Sequence, residues 1–326
     1  MNKNSTLMLF YFFLILGIMI SLSANNWLSC WLGIEMNLVS FLPIINKNHD
    51  MYSSESTIKY FIVQGMSSSM FFMSIILMNM MLNSDMFIMI SLLIKLGCAP
   101  FHMWFTSVME GLSWTSCMIL CTVQKLVPLI LLSYLNNSSI EFFIIMTMII
   151  GSLGGLNYSS LRKIMSYSSI YNMGWIMIGL YLDSYSWFVY FLVYSIMLLM
   201  ICHVFNYLNL SYINQYVLMN MTFMNKLIIM LMMLSMGGMP PLLGFLPKVI
   251  MIQPMILMKM YFLSIISVMS ALFVLFFYMR MILTSYMINT FSLKWMYNMV
   301  NLNMLSLFGV ISMMGLFSIG FINLWM

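Results

Sequence analysis

Long apolar runs fill this chain, and short polar joints interrupt them at fairly regular intervals. A run of roughly 20 apolar residues is the length that spans the hydrocarbon core of a bilayer. Read with that ruler, the pattern predicts about eleven spans, at roughly 6 to 24, 26 to 46, 57 to 79, 84 to 107, 113 to 135, 140 to 157, 160 to 181, 184 to 207, 223 to 258, 260 to 287 and 299 to 325. Inside lipid every backbone polar group needs an internal partner, so runs of this kind become helices. The predicted fold class is an all-α polytopic membrane protein.

Composition narrows the picture to membrane alone. The chain is 63% hydrophobic and 6% charged, with a mean hydropathy of +1.02, whereas soluble domains carry about 25% charged residues. No segment is polar enough for an extramembranous domain, so residues 1–326 read as a single transmembrane domain. The formal charge of +5 is no nucleic-acid signal, because the positive residues lie mostly in short loops, where they orient helices. With eleven spans, the side of the N-terminus holds Lys3, Lys47, Lys59, Arg162, Lys163, Lys226 and Lys294, while the other holds Lys259 beside Asp85, Glu141 and Asp183. This bias puts the N-terminus on the positive-inside face and the C-terminus opposite. The first apolar run, from about Leu7 to Ile20, lacks a small-residue cleavage site and reads as a span.

Two spans are irregular. The fourth contains Lys95-Leu-Gly-Cys-Ala-Pro100-Phe-His102, and the ninth contains Gly237-Gly-Met-Pro-Pro-Leu-Leu-Gly-Phe-Leu-Pro-Lys248. Proline inside a helix removes a hydrogen bond and clashes with the turn before it, so each span is expected to be a broken helix. As one straight helix the ninth would run roughly 54 Å, too long for a single crossing. Both breaks fall in the fourth member of successive groups of five. Five is odd, so the second group starts on the opposite side of the membrane: the arithmetic of an inverted repeat. The expected division is 1–137 for the first five-helix repeat, 138–290 for the second and 291–326 for a C-terminal helix.

Four ionisable side chains lie within these apolar runs: Glu35, Lys95, Lys125 and Lys248. A charge at the centre of a membrane helix costs at least about 2.5 to 3.5 kcal/mol on insertion scales, so such residues usually face a bundle interior and mark an ion or proton path. A carboxylate and an ammonium 4 Å apart attract by about 4 kcal/mol at an effective dielectric of about 20, so making or breaking a Glu–Lys pair can load or release a proton on a neighbour. For Glu35 the plain alternative is a static helix-to-helix hydrogen bond. Lys125 is about a dozen residues from either end of its span, too deep to snorkel, whereas Lys248 can be read either way. His102 has the chemistry of a proton relay, and equally of a satisfied hydrogen bond at the helix break. His49 and His203 are assigned no role, and Lys59, which begins the third span, reads equally as an interfacial anchor.

Other chemistry is thin. Cys30, Cys98, Cys117, Cys121 and Cys202 are scattered without a C-x-x-C pair or a zinc-spaced histidine, and no Gly-rich phosphate-binding loop is present. Neither metal nor cofactor is expected; redox chemistry would belong to another subunit. The 45 methionines, spread over every apolar segment, fit an AT-rich animal mitochondrial genome, in which one isoleucine codon reads as methionine.

Several stretches resemble a known family: Trp31-Leu-Gly-Ile-Glu35-Met-Asn37, Ile58-Lys59-Tyr60-Phe61 with Gln64, Lys95 through Trp104, Gln124-Lys-Leu-Val-Pro128, Leu161 through Ile170 with Met173-Gly-Trp175, and Gly237 through Lys248. In this order, over about 220 residues, they resemble the subunit 2 family of mitochondrial NADH:ubiquinone oxidoreductase (complex I), in an arthropod-like version. The resemblance implies an antiporter-like fold of two inverted five-helix bundles and a role in proton translocation driven by electron transfer from NADH to ubiquinone elsewhere in the complex. It maps the family's Glu and Lys pair to Glu35 and Lys95, its central lysine to Lys125 and its distal lysine to Lys248. The implied partners are other membrane-arm subunits, especially neighbouring antiporter-like ones, and phospholipids. The implied location is the mitochondrial inner membrane, N-terminus in the matrix and C-terminus in the intermembrane space. One departure stands out: the family often has histidine before Met-Gly-Trp, where this chain has Tyr171-Asn172. An autonomous cation/proton antiporter and a scaffold with purely structural charges remain as alternatives.

Overall fold

The computed structural model describes residues 3–46, 50–80, 84–135, 139–182, 184–218, 223–287 and 303–313. Lys47, His49, Asp183, Lys294 and most of the expected eleventh span lie outside them. The chain forms two compact units, Met1–Phe143 and Ile144–Met326.

The first unit holds α1 (Lys3–Leu22), α2 (Trp27–Ile45), α3 (Met51–Asn79), α4 (Asp85–Leu96), α5 (Met103–Gly111), α6 (Trp114–Cys121) and α7 (Val123–Leu132). The second holds α8 (Ile140–Gly154), whose first turn precedes the boundary, then α9 (Leu161–Tyr181), α10 (Ser186–Tyr207), α11 (Ile213–Leu218), α12 (Phe223–Gly237), α13 (Phe245–Leu257), α14 (Tyr261–Met287) and α15 (Asn303–Met313). No strand occurs among the described residues; Ser160 and Tyr212 make an isolated antiparallel bridge.

Among the described residues, seven helical stretches are long and apolar enough to cross a membrane: Ser5–Leu22, Trp27–Ile45, Met51–Asn79, Trp114–Leu132, Ile140–Asn157, Ser186–Tyr207 and Tyr261–Thr284. Helix α9 is 21 residues long but is not among them. The reason is its place in the packing. From Ile164 to Leu180 every side chain is buried, including Ser166, Ser168, Ser169 and Asn172. A helix enclosed by its neighbours can carry hydroxyls and an amide that a lipid-facing helix cannot.

The two breaks use one device. At the end of α4, Gly97 turns to φ 69°, and the N–H groups of Gly97 and Cys98 donate to the carbonyls of Ile94 and Leu93, both at 3.1 Å. At the end of α12, Gly238 turns to φ 78°, and the N–H groups of Gly238 and Met239 donate to Ser235 (3.0 Å) and Leu234 (3.2 Å). This is the Schellman motif, which needs a left-handed residue that only glycine supplies without steric cost. Each is followed by a cis X–Pro peptide, Ala99–Pro100 and Pro240–Pro241, before helix resumes at Met103 and Phe245. The broken character expected of the fourth and ninth spans is thus built into the backbone.

Close packing fixes the rest. A Cβ on Gly33 of α2 would sit 2.8 Å from the Gly17 carbonyl oxygen of α1, so the two backbones meet as small-residue membrane interfaces do. Arg280 of α14 donates to the carbonyls of Leu156 and, at 2.9 Å, Tyr158, tying α14 to the turn between α8 and α9. Two expected boundaries differ. Helix α3 starts at Met51, two turns before position 57, because Ser53, Ser54, Ser56 and Thr57 return their hydroxyls to carbonyls three residues back and so sustain a polar first stretch of helix. The short α11 lies in the stretch expected as a loop, fastened by the Gln215 carboxamide oxygen accepting from Ser211 and Tyr212.

Candidate functional site

In the first unit, Lys95 occupies the last turn of α4, two residues before the left-handed glycine, and is 7% exposed. The negative end of the helix dipole favours a cation there. Among the described residues no hydrogen-bond acceptor reaches its Nζ. Glu35 on α2 is half-buried and lies within electrostatic reach of Lys95, yet among the described residues no ion pair within 4.0 Å joins them.

Lys125 is 2% exposed, and its Nζ stands 4.8 Å over the Phe105 ring. It lies just past a helix break that the apolar pattern does not reveal. The fifth span divides at Thr122, whose Oγ1 donates to the Met118 carbonyl at 2.7 Å. Pro128, inside α7, lacks the N–H that would reach the Gln124 carbonyl. The proline was visible in the sequence, and its meaning for Lys125 was not.

Lys95 and Lys125 meet at one cavity of about 450 Å³, lined also by Asn37, Tyr60, Gln64 and Gln124. Polar groups cross it in order. Tyr60 Oη donates to Gln124 Oε1 at 3.4 Å, and Gln64 Nε2 donates to the Lys95 carbonyl at 3.4 Å. Its amide, hydroxyl and ammonium walls offer a water molecule the two to four polar partners it needs. A water held between two amines is a chemical route for a proton.

The second unit places Lys248 in the first turns of α13, 5% exposed. Its Nζ donates to the Gly237 carbonyl at 2.6 Å, so the side chain reaches back over the break to the C-terminal end of α12. It stands 5.3 Å over the Tyr171 ring and 6.0 Å over Trp175. Beside it a smaller cavity, about 250 Å³, is lined by Asn172, Tyr190, Tyr194, Ser235 and Pro247 among others.

The family described as NADH:quinone oxidoreductase/Mrp antiporter, TM, matches residues 24–87 and 78–274. The NADH-ubiquinone oxidoreductase chain 2 of Anopheles gambiae is 42% identical, over 98% of this chain and 98% of that one. The chain belongs to the NADH:quinone oxidoreductase/Mrp antiporter family, in its chain 2 branch. Among solved structures, a chain of respiratory complex I from Thermus thermophilus with bound aureothin aligns with a TM-score of 0.81, covering 96% of this chain and 78% of that one at 16% identity. A chain of the Mrp complex from Dietzia sp. DQ12-45-1b aligns at 0.72, covering 81% and 57% at 13% identity. At these identities the likeness is one of fold, and the all-helical antiporter-like fold is shared.

The candidate residues divide by location. Lys95 and Lys125 share a cavity, Glu35 stands at electrostatic distance from it, and Lys248 holds the second break. His102 lies in the turn before α5, 7% exposed, with Nδ1 3.2 Å from the Pro100 carbonyl; it does not line the lysine cavity. Lys59 pairs with Glu55 one helical turn earlier at 2.5 Å, on an exposed face. Tyr60, Gln64 and Gln124 stood inside the quoted motifs without a role, and what marks them is the cavity. Arg280 escaped notice because a single cation near a span end reads as an anchor.

Proposed function

We propose that this chain is the antiporter-like proton-translocating subunit 2 of a mitochondrial NADH:ubiquinone oxidoreductase, seated in the membrane arm of the inner membrane. It holds no electron-transfer centre of its own; quinone reduction in other subunits drives it. Membership in the chain 2 branch and the antiporter-like fold support the assignment. The observation that carries the mechanism is the polar cavity with Lys95 and Lys125 in its wall. There the Glu35 charge biases Lys95, cavity water and the Tyr60, Gln64 and Gln124 side chains link Lys95 to Lys125, and Lys248 serves as the distal group of the second unit. His102 is a secondary candidate.

The same reading takes the broken fourth and ninth spans, the enclosed α9 and the C-terminal helix as crossings, giving eleven. Two inverted five-helix repeats, 1–137 and 138–290, follow, with 291–326 as the added helix. The matching glycine-ended breaks support the repeat. Loop charge supports an N-terminus in the matrix and a C-terminus in the intermembrane space. Neighbouring antiporter-like subunits and phospholipids would cover the exposed apolar faces of α1 and α14.

Lys125→Met tests this directly, with assembly, quinone reduction and proton pumping measured together in inner-membrane vesicles. Coupled pumping should be lost while the complex assembles. Undiminished pumping would remove Lys125 from the relay, and failed assembly would favour a structural role.

A further inference from the structure

The second unit contains a buried polar pair that the four-residue relay does not use. Tyr190 on α10 donates its hydroxyl hydrogen to Asn172 Oδ1 on α9 at 2.9 Å, and the residues are 3% and 4% exposed. The tyrosine is held in place on its other side as well. Its ring stacks on Trp175 with centroids 6.2 Å apart and planes 9° apart, and Trp175 lies under the Lys248 ammonium. Both members of the pair line the 250 Å³ cavity, whose wall also includes Pro247, the neighbour of Lys248. The hydroxyl therefore sits between a space roomy enough for water and the aromatic floor of the lysine.

The chemistry of the pair is one-sided. A tyrosine hydroxyl can pass a proton along by accepting one on its oxygen as it releases its own, but a carboxamide oxygen accepts a hydrogen bond and exchanges no proton near neutral pH. With its hydrogen on Asn172, Tyr190 has nothing to give to cavity water. Rotation about the phenolic C–O bond turns that hydrogen into the cavity and completes the path. In the open state an arriving proton bonds to the Tyr190 oxygen while the original hydrogen moves to the next water; no electron is transferred, and rotation restores the starting hydroxyl. The titratable and charged groups packed around the pair are Tyr171 of α9, Tyr194 of α10, Lys248 of α13 and Tyr278 of α14. None of them is the acceptor that holds the Tyr190 hydrogen.

We propose that Tyr190 and Asn172 form a hydroxyl–amide gate that controls proton exchange between the second-unit cavity and Lys248. Tyr190 carries the proton itself in this scheme, Asn172 is the positioning residue, and the gate rests on Lys248 being a relay group. Three variants in the assembled complex, in sealed inner-membrane vesicles, test it through the rate of coupled NADH oxidation and the protons translocated per NADH. Tyr190→Phe should slow coupled turnover by roughly 10²-fold, the lower end of what a placed proton-transfer group contributes. Asn172→Leu removes the parking acceptor, and should lower the protons translocated per NADH and hasten discharge of the gradient, a leak that a purely structural pair would not produce. Full-rate turnover in assembled Tyr190→Phe, or an unchanged proton ratio in Asn172→Leu, overturns the gate. If Tyr190→Phe fails to assemble, the Asn172→Leu ratio decides alone. Lys248→Met separates the layers: full pumping there defeats the relay role of Lys248, while lost pumping there with no effect of either gate variant defeats the gate only.

Discussion

Gly238→Ala acts on the site through backbone geometry, with no change of charge. At φ 78° the residue is left-handed, and a side chain there costs about 1 to 2 kcal/mol. The new Cβ would lie 2.6 Å from Lys248 Nζ, 2.8 Å from Cε and 2.9 Å from Cδ. Three consecutive atoms of the lysine would all be too close, so the whole end of the side chain has to leave rather than its tip bend aside. Leaving breaks the 2.6 Å bond to the Gly237 carbonyl, a charge-assisted hydrogen bond of about 1.5 to 3 kcal/mol. The combined cost is about 2.5 to 5 kcal/mol, reduced if Lys248 finds another carbonyl at the break. Proton transfer is sensitive to displacement, and a shift on the order of 1 Å can cost about 10²-fold in rate. The expectation is an assembled complex of lowered thermal stability whose coupled pumping falls well below wild type, measured by a pH-sensitive dye in vesicles alongside NADH oxidation. Wild-type pumping and stability in Gly238→Ala would refute the claim that this glycine exists to let Lys248 cross the break.

Other perturbations test the packing. Gly33→Ala should loosen α1 from α2 by about 1 to 3 kcal/mol, since its Cβ would meet backbone and the Ser21 side chain at 2.8 Å; Gly65→Ala, with nothing within 4 Å, is the matched neutral control on a native gel. Arg280→Ala should remove two charge-assisted bonds to the α8–α9 turn and cost about 2 to 4 kcal/mol. Arg280→Lys should recover only part of that, because an ammonium lacks the guanidinium fork, and equal thermal inactivation midpoints for all three proteins would argue against the clamp. Lys248→Ala should lower coupled pumping with the complex still formed, and an unchanged proton ratio would remove it from the relay.

Much of this protein is legible in its sequence because the solvent imposes simple rules. Twenty apolar residues make a crossing, a Gly–Pro cluster inside a crossing breaks it, and a lysine in an apolar run has to face something polar. Those rules located α1 to α3, α10 and α14, both glycine-ended breaks, and the lysines at them. They also placed a helix at 160 to 181, where α9 runs Leu161–Tyr181, though with a weaker apolar signal than its neighbours. Helix α9 carries four buried polar residues because its neighbours enclose it, so hydropathy alone marks it weakly. The same rules were silent about the Thr122 break beside Lys125, where the threonine hydroxyl donates to the Met118 carbonyl.

Partnership is the part that needed three dimensions. Sequence by itself determined the membrane class, the broken helices and which ionisable groups were worth following, since each depends on local apolarity and local backbone sterics. Only tertiary structure decided that Lys95 and Lys125 share a cavity through Tyr60, Gln64 and Gln124, that among the described residues Glu35 closes no ion pair with Lys95, that Lys248 reaches back to Gly237, and that Tyr190 holds Asn172. Side chains on different helices meet by packing, and no spacing along one helix records which residue of another will face it.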